Sequence, residues 1–343
     1  MILAVHRYFG ERSQRKFFTS AAATEENHQM KNMIRVLCML CLLPAEAILA
    51  GCAKDGAVLK TENLFRDEIS AEAERIPDYD ALVFKSDGAD IYGQILKPDR
   101  AYGENRPCVL FFHGFAGFAR FDDVGQALCR AGCVVLIVHH RGAWGSQGKY
   151  SVSNCVRDAV NLIGYVKSKN FTAKYRTDAD SVFLAGHSMG GNTVLNAAAR
   201  SSGVRGIVML TPCDIGTMTL KMPKEEMRRF LAENGLEVLK TDGFEAVYGD
   251  LLRHAEEYSF PRAAGRLQKT ALLLITGERD TCISNDVLKT FYEAARRNKS
   301  LTPCLHRSYP VGHGLMGVRV QICRDTADFI LKTCEMKKIC PAR

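Results

Sequence analysis

Three residues in this chain are of the types that split an acyl bond, and each sits in a short motif with glycine. Ser188 lies in Gly186-His187-Ser188-Met189-Gly190, which fits G-x-S-x-G, between the apolar run 181–186 and a helix-like stretch from 188 to about 201. Asp280 closes Gly277-Glu278-Arg279-Asp280, just past a later apolar run, and His313 sits in Gly312-His313-Gly314, past the last one. A serine hydroxyl is a weak nucleophile at neutral pH and needs a base. His313 is the expected base, taking the serine proton and returning it to the leaving group. Asp280 is the expected acid, holding the imidazole tautomer and stabilising its cation. The glycines fit this use. A strand that turns sharply into a helix strains the backbone of the serine, and side chains beside it would clash. The other use of such a turn, a phosphate-binding loop, needs a Gly-Lys-Ser/Thr ending that is missing here.

Rivals stay open at this level. Asp214, in Thr211-Pro212-Cys213-Asp214, also follows an apolar run and is the second candidate for the acid. His306 falls inside a strand-like run and His254 on a helix-like stretch, while His187 is the variable residue of the serine turn. His139 and His140 come too early for the base in the chain order serine, acid, histidine. The oxyanion of an acyl-transfer intermediate needs aimed N–H donors. The expected pair is the backbone N–H of Met189, at the helix start, and that of Phe115, in the loop His113-Gly114-Phe115-Ala116-Gly117. His113 reads as a brace for that loop. In the glycine-bearing loop 139–151, Trp144 either walls a substrate pocket or packs beneath neighbouring helices, and Arg141 reads as a tie between loops.

The elements that must position these residues alternate. Strand-like runs at 108–113, 133–140, 181–186, 204–211, 271–277 and 302–310 are separated by helix-like stretches near 122–132, 154–168, 188–201, 284–297 and 317–335. Continuous apolar strands rich in β-branched residues suit a parallel sheet covered on both faces, and the alternation suits βαβ crossovers. Ahead of them, Asp87-Gly88 between two apolar runs is a hairpin signal. The alternation pauses over about 215–265, where charged, helix-forming sequence reads either as a small cap over the ligand edge of the sheet or as plain surface helices.

The 343 residues carry a formal net charge of +8, but basic and acidic residues are interspersed, which argues against a nucleic-acid face. No apolar run reaches about 18 residues, which excludes a multi-span membrane protein. Among 13 cysteines, Cys38 and Cys41 fall in an apolar run and the rest show no zinc spacing, so neither metal nor cofactor is expected. Residues 1–52 read as a targeting segment: Lys31 and Arg35, a mostly apolar run from Val36 to Leu49, then Leu49-Ala50-Gly51-Cys52. The last four residues resemble a bacterial lipobox. The resemblance implies lipidation of Cys52, membrane anchoring and a place in the bacterial cell envelope, with translation starting at Met30 or Met33. The alternative is a cytoplasmic protein with an amphipathic N-terminal helix. Residues 53–77 read as a tether and 78–343 as the folded domain. Nothing in the sequence sets an oligomeric state.

As a set, "SDGADIYGQILKP", "HGFAG", "HHRGAWGSQG", "GHSMGG", "GERD" and "GHG" in this order resemble the α/β-hydrolase superfamily, and within it the prolyl-oligopeptidase-like and feruloyl-esterase-like branch. The resemblance covers roughly residues 78–335. It implies the α/β-hydrolase fold and a serine hydrolase acting through an acyl-enzyme on a small ester or peptide-like substrate. No β-propeller precedes the core and no acidic pair is evident to capture a peptide N-terminus, which moves weight towards carboxylic esters. A peptidase or amidase, and a non-catalytic surface binding protein on the same scaffold, remain as alternatives.

Overall fold

The computed structural model describes residues 59–67, 77–99 and 102–339. The expected targeting segment 1–52, with Met30, Met33 and Cys52, lies outside the described residues, as do 53–58 and 68–76 of the expected tether. The strands are β1 (Asp78–Ser86), β2 (Ala89–Lys97), β3 (Arg106–Phe112), β4 (Val134–Val138), β5 (Thr177–His187), β6 (Gly206–Leu210), β7 (Ala271–Gly277) and β8 (Cys304–Tyr309). They form one sheet in the order β1-β2-β4-β3-β5-β6-β7-β8. β1 and β2 are an antiparallel hairpin whose turn residues Asp87 and Gly88 both take positive φ, and β2 joins β4 antiparallel. From β4 onward every pairing is parallel.

β3, β4, β6 and β7 are buried at every position, and successive side chains feed two separate cores. Leu110, Leu136 and Leu184 point into one, with residues of α2 (Val152–Val166), α4 (Met189–Ala198) and α9 (Asn285–Ala295). Phe111, Ile137 and Phe183 point into the other, with residues of α1 (Asp122–Arg130) and α10 (Arg319–Ile339). Both faces are therefore covered, as the unbroken apolar runs require. A short helix, α3 (Lys169–Tyr175), was not expected. Ser168 caps it and Phe171 and Tyr175 anchor it in the core. Part of the expected tether is docked. Leu59 and Leu64 are buried, Lys60 N–H bonds Ala131 O, and Arg130 Nε bonds Leu64 O, because two leucines in that polar stretch meet the α1 face.

The insertion between β6 and β7 holds α5 (Ile215–Lys221), α6 (Lys224–Glu233), α7 (Phe244–His254) and α8 (Phe260–Ala264). It is fastened down. Asp250 on α7 accepts hydrogen bonds from the hydroxyl and N–H of Ser153 at the start of α2, and Asn192 Nδ2 on α4 bonds Tyr258 O. Lys240 N–H bonds Gly142 O and receives the Tyr150 N–H on its own carbonyl. Leu239 packs with Ala116, Ala143 and Tyr150. The insertion thus flanks α2 and α4 and also closes over the loops at the carboxyl ends of β3 and β4. No helix among the described residues is long and apolar enough to cross a membrane.

Candidate active site

The loops at the carboxyl edge of the sheet converge on Ser188. This residue stands between the last residue of β5 and the first of α4, with φ 53° and ψ −116°. That backbone is strained for a residue with a Cβ. Its neighbours explain the motif. A Cβ on Gly186 would lie 2.2 Å from Gly190 O, and one on Gly190 would lie 2.1 Å from Phe112 O. The turn closes only because both are glycine. Ser188 N–H bonds Leu210 O, and Ser188 O accepts the N–H groups of Gly191 and Cys213, all at 2.9 Å. Met189 opens α4, so its N–H has no intrahelical acceptor and lies at the positive end of the helix dipole. The loop with Phe115 runs beside this turn: a Cβ on Gly114 would lie 3.1 Å from Ser188 Cβ.

Asp280 and His313 are brought together, with His313 Nδ1 2.8 Å from Asp280 Oδ2. The Asp280 side chain is fully buried, and its other oxygen accepts the N–H groups of Cys282 (2.8 Å) and Ile283 (2.9 Å). Burial alone would raise its pKa. The hydrogen bonds from His313 and the two amides outweigh burial and hold the carboxyl below its usual range. With Nδ1 bound to the carboxylate, Nε2 is the imidazole nitrogen left for proton exchange. The other acid candidate is spent elsewhere. Asp214 caps α5 through Thr217 N–H at 3.0 Å. His306, on the edge strand β8, bonds the Thr276 hydroxyl of β7, and His254, at the end of α7, lies near Asp250 and Glu257.

Two residues to which the sequence gives no role hold His313 in place. The carbonyl of His313 accepts a hydrogen bond from His187 Nε2 (3.0 Å) and one from Thr211 Oγ1 (2.9 Å). His187 is buried, and burial first, then the nearby His313, depress its pKa to about 3, so it acts as a neutral donor. The sequence signal was position: His187 ends β5 and Thr211 directly follows its neighbour β6.

His113 and His140 brace backbone. His113 Nδ1 lies 2.7 Å from Gly114 O while its Nε2 accepts His140 N–H, and His140 Nε2 lies 3.1 Å from His113 O. Burial, reinforced by the neighbouring His140, pushes His113 well below its ordinary value. Burial likewise brings His140 to about 4. Arg141 forms a two-pronged pair with buried Asp158 and also bonds Ser86 O, tying the 139–151 loop to the β1–β2 turn and α2. Trp144 is 53% exposed, so it does not pack beneath the insertion. Its Nε1 donates to Gly117 O at 2.9 Å and Arg120 stacks on its ring, so it clamps the Phe115 loop at the rim.

Asp280, Cys282 and His313 offer ligand atoms within 4.8 Å of one another, a donor set that a soft divalent ion could use. Two of its atoms already serve the Asp280–His313 bond, and the chemistry of a serine nucleophile asks for no ion. Cys108, Cys129, Cys133, Cys155, Cys213, Cys282, Cys304 and Cys323 are free thiols. Beside the Asp280 loop, a cavity of about 210 Å³ opens between α5 and the residues that follow Asp280.

Comparison with known proteins agrees with this architecture. A family model described as serine aminopeptidase, S33, matches residues 103–240. Gibberellin receptor GID1C of Arabidopsis thaliana is 32% identical over 126 residues, 34% of this chain and 36% of the receptor. The chain thus spans about a third of the length of the curated relatives it matches. Among solved structures, Est1E from Butyrivibrio proteoclasticus superposes with a TM-score of 0.55 at 17% identity, covering 74% of this chain and 98% of that one. A puromycin-hydrolyzing peptidase of Mycobacterium tuberculosis superposes with a TM-score of 0.57 at 19% identity, covering 77% of this chain and 40% of that one.

Proposed function

We propose that this chain, which has the α/β-hydrolase fold, is a serine hydrolase that cleaves carboxylic esters through an acyl-enzyme on Ser188. The observation that carries the reading is the Ser188 backbone at φ 53°, a strained conformation that the surrounding glycines are shaped to permit. Such strain persists at positions where function uses it. In this reading Ser188 Oγ attacks the ester carbonyl as His313 Nε2 takes its proton. The oxyanion is met by the N–H groups of Met189 and Phe115. Collapse of the intermediate breaks the ester bond, and the alkoxide leaves with the proton from Nε2. A water molecule then repeats the sequence on the acyl-enzyme and frees the acid and the serine. Asp280 keeps Nδ1 protonated and balances the imidazolium.

The experiment is labelling with a fluorophosphonate probe, beside turnover of p-nitrophenyl acetate, for the wild type and Ser188→Ala. Labelling and turnover that vanish in the alanine variant support the reading. A folded wild type that takes no label overturns it. A second reading, a binding protein on this scaffold, has one observation behind it: the curated relatives are named as receptors. The same experiment decides between them. Cleavage of aminoacyl amides in preference to esters would instead place the chain with the peptidases. For location, the reading is a lipoprotein of the bacterial envelope anchored through Cys52. Mass spectrometry of the N-terminus from native cells tests it, and an unlipidated chain retaining residues 1–51 would refute it.

A further inference from the structure

The cavity beside the Asp280 loop is built from residues that also hold the reacting groups. The N–H of Cys213, on one wall, bonds Ser188 O; the N–H groups of Cys282 and Ile283, on the other, bond Asp280 Oδ1. The cavity therefore adjoins the segments that carry the serine and the acid. Its chemistry is apolar and soft, with Cys213, Met218, Met222, Cys282, Ile283 and Val287 among the lining. Of the polar lining, Asp214 and Thr217 are bonded to each other in the α5 cap, and Lys221 and Ser284 complete it. Methionine side chains are unbranched and pliable, so this lining adapts to a flexible chain better than to a rigid ring system.

We propose that this cavity receives an unbranched apolar arm of about four to six carbons, which sets the chain-length preference of the ester substrate. The proposal rests on Ser188 being the nucleophile. The volume of 210 Å³ holds roughly seven groups of about 30 Å³ each, the share of one water molecule in the liquid. A chain of four to six carbons fills most of that space and leaves slack for the methionines. Each methylene moved from water into the cavity is worth about 0.8 kcal/mol, which raises kcat/KM about fourfold. From two carbons to six the gain is on the order of 100-fold, and it stops where the cavity ends.

The test is kcat/KM for two ester series on the full chain: p-nitrophenyl esters with acyl chains of two to twelve carbons, and acetates of straight-chain alcohols of the same lengths. A maximum at four to six carbons in one series supports the proposal and tells which side of the ester the cavity takes. Cys282 is an exposed free thiol at this cavity. Alkylating it with N-ethylmaleimide should therefore lower the ratio of six-carbon to two-carbon turnover at least tenfold, and in Cys282→Ser the ratio should ignore the reagent. Met218→Phe, which narrows the cavity from the opposite wall, should move the optimum to shorter chains. A flat profile in both series, or a ratio unmoved by both alkylation and Met218→Phe, overturns the pocket while fluorophosphonate labelling of the wild type upholds the nucleophile. Failure of the wild type to label overturns the parent reading and the pocket with it.

Discussion

Replacing Asp280 by asparagine separates positioning from charge because the site dictates how the amide must sit. One carboxylate oxygen accepts two backbone N–H groups, from Cys282 and Ile283, and the other accepts His313 Nδ1. In Asp280→Asn the amide oxygen has to stay on the two backbone donors, since its NH2 would leave both without an acceptor. The NH2 then faces His313 and forces Nδ1 to become an acceptor. The proton moves to Nε2, the nitrogen that should take the proton from Ser188, and the base is disabled in its resting state. A triad histidine held in the wrong tautomer loses about 10⁴ in kcat, or about 5 kcal/mol of transition-state stabilisation. Folding should change far less, by about 1 kcal/mol, because both backbone bonds persist and the volume is unchanged. Steady-state turnover of p-nitrophenyl acetate and urea unfolding measure the two quantities. A kcat within tenfold of wild type would remove Asp280 from the mechanism, and a comparable loss in Asp214→Asn would transfer the role.

Other consequences follow from the same geometry. His140 and His187 titrate near 4 and 3 in the folded chain, below the ordinary histidine value, so the unfolded chain binds their protons more readily. Their stabilisation is complete above about pH 6.5 and is lost as pH falls, by about 2 kcal/mol for each histidine at pH 5; a urea midpoint that is constant from pH 7.5 to 5 would contradict this. Arg141→Met leaves Asp158 buried without its cation and should cost about 3–5 kcal/mol, whereas Arg141→Met with Asp158→Leu should recover part of that loss in a double-mutant cycle. Gly190→Ala places a methyl 2.1 Å from Phe112 O, which can yield only by moving the end of β3. Stability should fall by about 1–3 kcal/mol and kcat by about 100-fold as the Phe115 loop shifts, and retained activity would mean that the turn tolerates a side chain.

Sequence gave away what depends on local necessity. The glycines around Ser188 had to be glycine, and the unbroken apolar runs had to be strands covered on both faces, so the sheet and its parallel order were readable before any contact was seen. Asp280 and His313 were readable because they follow strands that end at the edge where Ser188 emerges. Features that depend on distant segments meeting were not. Thr211 and His187 look like ordinary strand ends until the His313 carbonyl is found between them. Leu59 and Leu64 sit in polar sequence, and only the α1 face gives them a place to be buried. Trp144 had two readings because its partner, Gly117 O, is 27 residues away.

The histidines around Ser188 differ in whether a carboxylate is hydrogen-bonded to the ring, and that difference bears on which of them could serve as a base. His113, His139, His140 and His187 all lie around the same loops, and burial depresses the pKa of each. Their ring hydrogen bonds are with backbone groups or, for His139, with the Arg120 guanidinium. A buried imidazole with such partners can orient a loop, but none of the four has a carboxylate hydrogen-bonded to it to stabilise the positive charge that a base acquires. His313 alone among them bonds a carboxylate, and that carboxylate is itself kept ionised by two amides. In the proposed mechanism, His313 is thus the one ring of these five with a hydrogen-bonded carboxylate to balance the charge that a base acquires.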